Sequence, residues 1–105
     1  MINPLENNAL EKVQELCARH HVASLYLFGS ATGSEFSTDS DIDFVVAFKP
    51  GKIQDFASNF FSLQQGLEKL FNRKVDLVTE RSIRNPYFRE AVDESKVLLY
   101  GSLAA

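Results

Sequence analysis

Two short apolar runs, Ala23 to Phe28 and Ile42 to Phe48, are separated by thirteen residues, the first twelve rich in Gly, Ser and Thr. Runs of this length, with β-branched and aromatic residues, read as buried strands. The link between them, Gly29 to Ser40, reads as a loop, or a loop with one helical turn. So direct a connection lets the two strands pair as antiparallel neighbours. That pairing constrains everything else the chain can build.

The remaining segments alternate. Leu5, Ala9, Val13 and Leu16 recur at spacings of three and four, with Leu10 and Cys17 beside them, which predicts an amphipathic helix ending near His20-His21. Ile53, Phe56, Ala57, Phe60, Leu63, Leu67, Leu70 and Phe71 keep helical spacing and predict the longest helix. Gly66 weakens that helix by about 1 kcal/mol relative to Ala. Lys74 to Val78 reads as a third strand. Asn85-Pro86 reads as an N-cap followed by Pro at the first helical position, opening a short helix to about Val92. Lys96 to Tyr100 reads as a last strand, and Gly101 to Ala105 as a frayed tail. The order α-β-β-α-β-α-β predicts an α/β (α+β) fold, a mixed sheet of about four strands with helices packed on it. Residues 1–105 are expected to form a single domain.

Composition removes several function classes. Fourteen acidic against eleven basic residues give a net charge of −3, so no direct nucleic-acid binding through a dense basic face is expected. The single Cys17 forms no internal disulfide, and no Cys/His spacing suits zinc. No apolar run approaches the ~20 residues of a membrane span, and no secretory pattern opens the chain. A cytoplasmic location away from membranes is the expectation.

Asp41 and Asp43 flank Ile42 at the mouth of the second strand. Side chains alternate along a strand, so both carboxylates point to one side, about 7 Å apart, and repel each other. Hard divalent cations with oxygen ligands would relieve that repulsion. Asp76 repeats the pattern between Val75 and Leu77. If the third strand lies beside the second in matching register, three carboxylates share one small area. Such a group would hold one or two Mg²⁺ ions, the usual device of phosphoryl and nucleotidyl chemistry. Taken singly, each Asp reads more readily as a turn residue or part of a surface ion pair than as a ligand. A calcium-binding EF-hand loop beginning at Asp39 fails, because Phe44 stands where the sharp turn needs Gly and Pro50 where the bidentate Glu belongs.

Gly29-Ser30 follows the first strand. A Gly there lets backbone approach an anion closely, and Ser30 offers a hydroxyl and an N–H to a phosphate. Alone the pair reads as a turn. Its meaning comes from standing just before the paired carboxylates.

Gly29-Ser30, ten intervening residues and Asp41-Ile42-Asp43, with a later acid in Lys74-Val75-Asp76-Leu77, resemble the G-S-x10-D-x-D pattern of the DNA polymerase β-like nucleotidyltransferase superfamily. The resemblance runs from the first helix to the last strand and is strongest to the minimal nucleotidyltransferase (MNT) domains. It implies that Gly29 and Ser30 hold the β/γ-phosphates of a nucleoside triphosphate, with Ser40 also among the nucleotide-binding positions. It implies that Asp41 and Asp43 coordinate two Mg²⁺ ions, and that Asp76 ligates the catalytic metal and helps deprotonate the acceptor hydroxyl. Thr38, Asp39 and Ser40 shape the turn into the second strand.

One departure stands out: many MNT sequences carry Arg just after Gly-Ser, whereas Ala31-Thr32 follow here. Cationic contacts to the triphosphate would then come from Lys49, Arg81 or Arg84. The resemblance further implies a small all-helical HEPN-type partner, the cognate toxin of a toxin–antitoxin pair. The antitoxin would transfer AMP from ATP to a hydroxyl of that RNase within a hetero-oligomer. The alternative is an MNT-like binding subunit that neutralises its partner by complex formation alone. Transfer to a small molecule such as an aminoglycoside is disfavoured, since those enzymes carry extra domains for the acceptor. Nine Phe and three Tyr exceed what a small core needs. Phe61, off the main helical stripe, and Tyr87-Phe88 read as partner anchors or as an enlarged core edge. His20-His21 suit the negative end of a helix dipole, and Cys17 reads as a small core residue.

Overall fold

The computed structural model describes residues 7–29, 41–51 and 54–101. Its elements are α1 (Asn7–Arg19), β1 (Val22–Phe28), β2 (Ile42–Phe48), α2 (Phe56–Phe71), β3 (Val75–Thr79), α3 (Pro86–Ser95) and β4 (Val97–Gly101), with a 3-10 turn at Glu80–Ser82. The four strands form one mixed sheet in the order β3-β2-β1-β4. β1 pairs antiparallel with β2 and β4, and β2 pairs parallel with β3. The antiparallel β1–β2 pair is the one the direct link requires. The parallel β2–β3 pair needs a crossover, and α2 supplies it.

Each face of the sheet is covered. On one, Val13 and Cys17 of α1 and Leu63, Leu67 and Phe71 of α2 close over Leu25, Leu27, Ile42, Phe44, Val46 and Val75. On the other, Ile83 and Val92 pack on Tyr26, Phe28 and Val45. β2 is therefore buried on both sides, which is why its sequence is an apolar run rather than an alternation. Burial pushes the Cys17 thiol up to about 12, so this cysteine is a core residue and no nucleophile at neutral pH.

Local chemistry sets the helix ends. Asp55 caps α2, its carboxylate accepting from the Ser58 N–H at 3.2 Å and the Ser58 hydroxyl at 2.9 Å. The helix accordingly opens at Phe56; Ile53, the first residue of the expected span, lies outside the described residues. Asn72 closes it in the left-handed conformation at φ 52°. Gly66 has a packing reason: a Cβ there would lie 2.9 Å from Cδ2 of Leu16, so glycine lets α1 and α2 approach closely. His20 joins the same two helices rather than merely facing a dipole. Its Nδ1 lies 2.7 Å from the Leu16 carbonyl and its Nε2 lies 3.0 Å from Ser62 Oγ. With Nδ1–H donating to the carbonyl, Nε2 accepts from the serine hydroxyl.

Two boundaries differ from expectation. α3 continues past Val92 to Ser95, because the Lys96 N–H still reaches the Val92 carbonyl at 2.8 Å. Gly101 is no part of a frayed tail: it pairs with Ser24 inside β4 at φ +95°, where a Cβ would lie 2.1 Å from the Ala23 carbonyl oxygen. Only glycine fits there. Among the described residues no helix is long and apolar enough to cross a membrane.

Candidate active site

The end of β1 and the starts of β2 and β3 meet at one edge of the molecule. Antiparallel pairing sets Phe28 opposite Asp43, and parallel pairing sets Asp43 opposite Asp76. The matching register on which the three-acid reading depended is therefore present. Ile42 and Phe44 point into the core under α1 and α2, so alternation turns Asp43 to the other face, along with Val45 and Phe28. Asp41 and Asp76 are exposed, while Asp43 is half-buried.

Asp43 carries the electrostatic signature of the cluster. Its pKa is pushed up to about 6, first by burial and then by the negative charges of Asp76 and Asp41. Asp43 thus feels both neighbouring carboxylates across the strand ends. Among the described residues no group of three His, Cys, Asp or Glu side chains is arranged, as it stands, to hold a metal ion. The donor set nonetheless fits a divalent cation: the donors are hard carboxylate oxygens, and their mutual repulsion is what such an ion would remove.

Gly29 lies against this cluster. Its backbone is left-handed at φ +77°, and a Cβ would fall 2.7 Å from Asp43 Oδ2. Both the conformation and the contact demand glycine. The Gly29 N–H also donates to Ser95 Oγ at 3.5 Å, and that hydroxyl donates to the Ala91 carbonyl at 3.0 Å. The last residue of α3 thus reaches the turn after β1. At the other end of α3, Asn85 accepts from the N–H groups of Tyr87 and Phe88, and Phe88 packs edge-on against Phe28 with centroids 5.8 Å apart.

Of the expected site residues, Gly29, Asp41, Asp43 and Asp76 come together; Ser30 and Ser40 lie outside the described residues, as do Ala31, Thr32, Thr38 and Asp39. Two suggested cations are corrected. Lys49 follows the far end of β2, six residues and about 20 Å of strand beyond Asp43, and Arg81 lines the same far-end hollow as Lys49. Neither serves an anion held at the carboxylates. Arg84 follows Ile83, which packs with Val45 on the acid-bearing face. Sequence reasoning missed Ser95 and Lys96 at the α3–β4 junction. Lys96 Nζ sits 3.1 Å from an Asp93 oxygen and 4.8 Å from the centroid of the Tyr26 ring, on the same face. Nothing in the spacing of Ser95 and Lys96 ties them to residue 29; only the antiparallel return of β4 along β1 does.

Residues 11–104 match the family described as polymerase beta, nucleotidyltransferase. A Methanocaldococcus jannaschii protein named as a protein adenylyltransferase is 34% identical over 96 residues, which span 84% of this chain and 95% of that protein. A solved structure described as a minimal nucleotidyltransferase is similar with a TM-score of 0.75 at 34% identity, covering 92% of this chain and 95% of the other. A chain of a toxin–antitoxin crystal structure with AMP-PNP is similar with a TM-score of 0.70 at 26% identity, covering 90% of this chain and 74% of that one.

Proposed function

The chain belongs to the polymerase beta nucleotidyltransferase family and is a nucleotidyltransferase, and on that premise we propose that it transfers AMP from ATP to a hydroxyl of a partner protein in a Mg²⁺-dependent reaction. The partner in this reading is a HEPN-type helical toxin, and the protein is its antitoxin in a hetero-oligomer. One observation carries the reading: the Phe28–Asp43–Asp76 register sets a left-handed glycine turn beside Asp43 and Asp76, at the strand end that Asp41 precedes. The likeness to a toxin–antitoxin chain crystallised with AMP-PNP supports the nucleotide and the kind of assembly.

In this mechanism Asp41, Asp43 and Asp76 would hold Mg²⁺, which when bound offsets negative charge on the entering and leaving phosphate oxygens. Gly29 brings backbone against the phosphates where a side chain would intrude, and Ser30 and Ser40 add hydroxyl contacts. Asp76, exposed at the strand start, accepts the proton of the acceptor hydroxyl. The acceptor oxygen forms a bond to the α-phosphorus, the bond from that phosphorus to the β-bridging oxygen breaks, and pyrophosphate leaves.

The test is transfer of label from α-labelled ATP, with Mg²⁺, to an all-helical partner carrying an Arg-x4-His motif. Wild-type protein labels the partner, and Asp43→Asn abolishes the label. Label transfer that survives Asp43→Asn would refute the assigned chemistry. Silencing of the partner's RNase without ATP would favour occlusion by complex formation instead.

A further inference from the structure

At the end of the sheet away from the carboxylates, the molecule leaves an aromatic ladder in the open. Phe48, Phe56, Phe60 and Phe61 touch in sequence, with ring centroids 5.4, 6.0 and 5.5 Å apart. Phe56 is 51% exposed and Phe61 56%, a large apolar display for two residues on one helix. Two hollows meet beneath them. One, of about 370 Å³, lies at the end of β2 between Phe48 and Phe56; the other, of about 430 Å³, runs between α2 and the edge strand β3. Phe56 and Thr79 line both, so the two hollows lie side by side and together make an aromatic-edged trough.

Charge says what covers it. Lys49 and Arg81 stand on the rim of the first hollow, and neither has an ion-pair partner among the described residues. Two unopposed cations beside an apolar trough, in a chain of net charge −3, call for an apolar occupant edged with acids. A second copy bound about a two-fold axis would set Lys49 and Arg81 against themselves. The nearby acid Asp55 offers no relief, because its carboxylate is held in the cap of α2. Two cations are also too few to grip a phosphate backbone. Phe56 and Phe60, four residues apart, form the kind of ridge that packs into the groove of another helix.

We propose that this trough is a docking surface for an amphipathic helix of a partner protein, apolar along one stripe and flanked by carboxylates. It lies about 20 Å of strand from the carboxylate cluster and requires no particular acceptor chemistry. The probe is a fluorescent, stapled helical peptide with leucines at i, i+3, i+4 and i+7 and glutamates beside them, titrated with the full chain. Saturable binding is expected, weakened about tenfold by Phe61→Ser and by Arg81→Glu. The same peptide with lysines for glutamates should not bind. Should Phe61→Ser not fold, Arg81→Glu at an exposed position carries the test. Equal binding of the basic peptide, or indifference to the folded variants, overturns the proposal. So does displacement by a single-stranded oligonucleotide, or a dimer of this chain abolished by the same substitutions.

Discussion

At the scale of single residues, Asp43 holds the most tension. Its folded pKa of about 6 stands above the ordinary 3.8, so the fold binds its proton more readily than the open chain does. The stability this confers is full below about pH 3.8 and is lost as pH rises through about 6. Asp43→Asn is therefore expected to melt above wild type at pH 8, with the gap closing toward pH 4, while label transfer is lost at both. Thermal melts at the two pH values check the first part. Gly29→Ala meets the same carboxylate from the other side. The left-handed backbone costs about 1–2 kcal/mol for a side chain, and its Cβ would displace Asp43 Oδ2. Reduced stability in urea together with weaker ATP binding is expected, whereas a mere turn residue would lose only the first.

At the scale of elements, glycines in α2 and β4 answer differently to the same change. Gly66→Ala gains about 1 kcal/mol of helix propensity and pushes only the flexible tip of Leu16, so its net effect should stay within about 1 kcal/mol. Gly101→Ala drives a Cβ into the Ala23 backbone and should cost more than about 3 kcal/mol, read by denaturant midpoint. The sequence showed Gly66 as a helix flaw and Gly101 as the start of a tail, since neither contact is local. Element identity and order were legible because periodicity and the short Gly29–Ser40 link are local signals. Alternation revealed that Asp41 and Asp43 share a face, but not which strand lies beside them. That register depends on how α2 returns the chain, and it alone brings Asp76 to Asp43. Lys49 and Arg81 lie at the other end for a related reason: a residue's place in the sequence does not say which end of the sheet it reaches. Ser95 reaches Gly29 across 66 positions and had no local signal at all.

At the scale of the whole molecule, the repelling carboxylates make the fold responsive to what it binds. A ligand that binds only the folded state stabilises it by about 2.7 kcal/mol at a hundredfold excess over Kd. For a chain this size that corresponds to a rise in Tm of about 10–20 °C. ATP with Mg²⁺ should raise Tm more than either alone, and Asp43→Asn should erase the synergy; differential scanning fluorimetry reads both. The carboxylate cluster and the aromatic trough occupy opposite ends of β2, so a partner can touch one without occluding the other. The strand order carries a further consequence, for synthesis. β1 is an inner strand, yet its outer neighbour β4 is the last described element, and Gln14 of α1 donates to the Leu99 carbonyl of β4 at 3.2 Å. On the ribosome, β1 and β2 can pair early while the other edge of β1 waits open. Until β4 emerges, the nascent chain bears an unpaired edge beside a half-covered core, the kind of intermediate that chaperones hold and that aggregates when they do not.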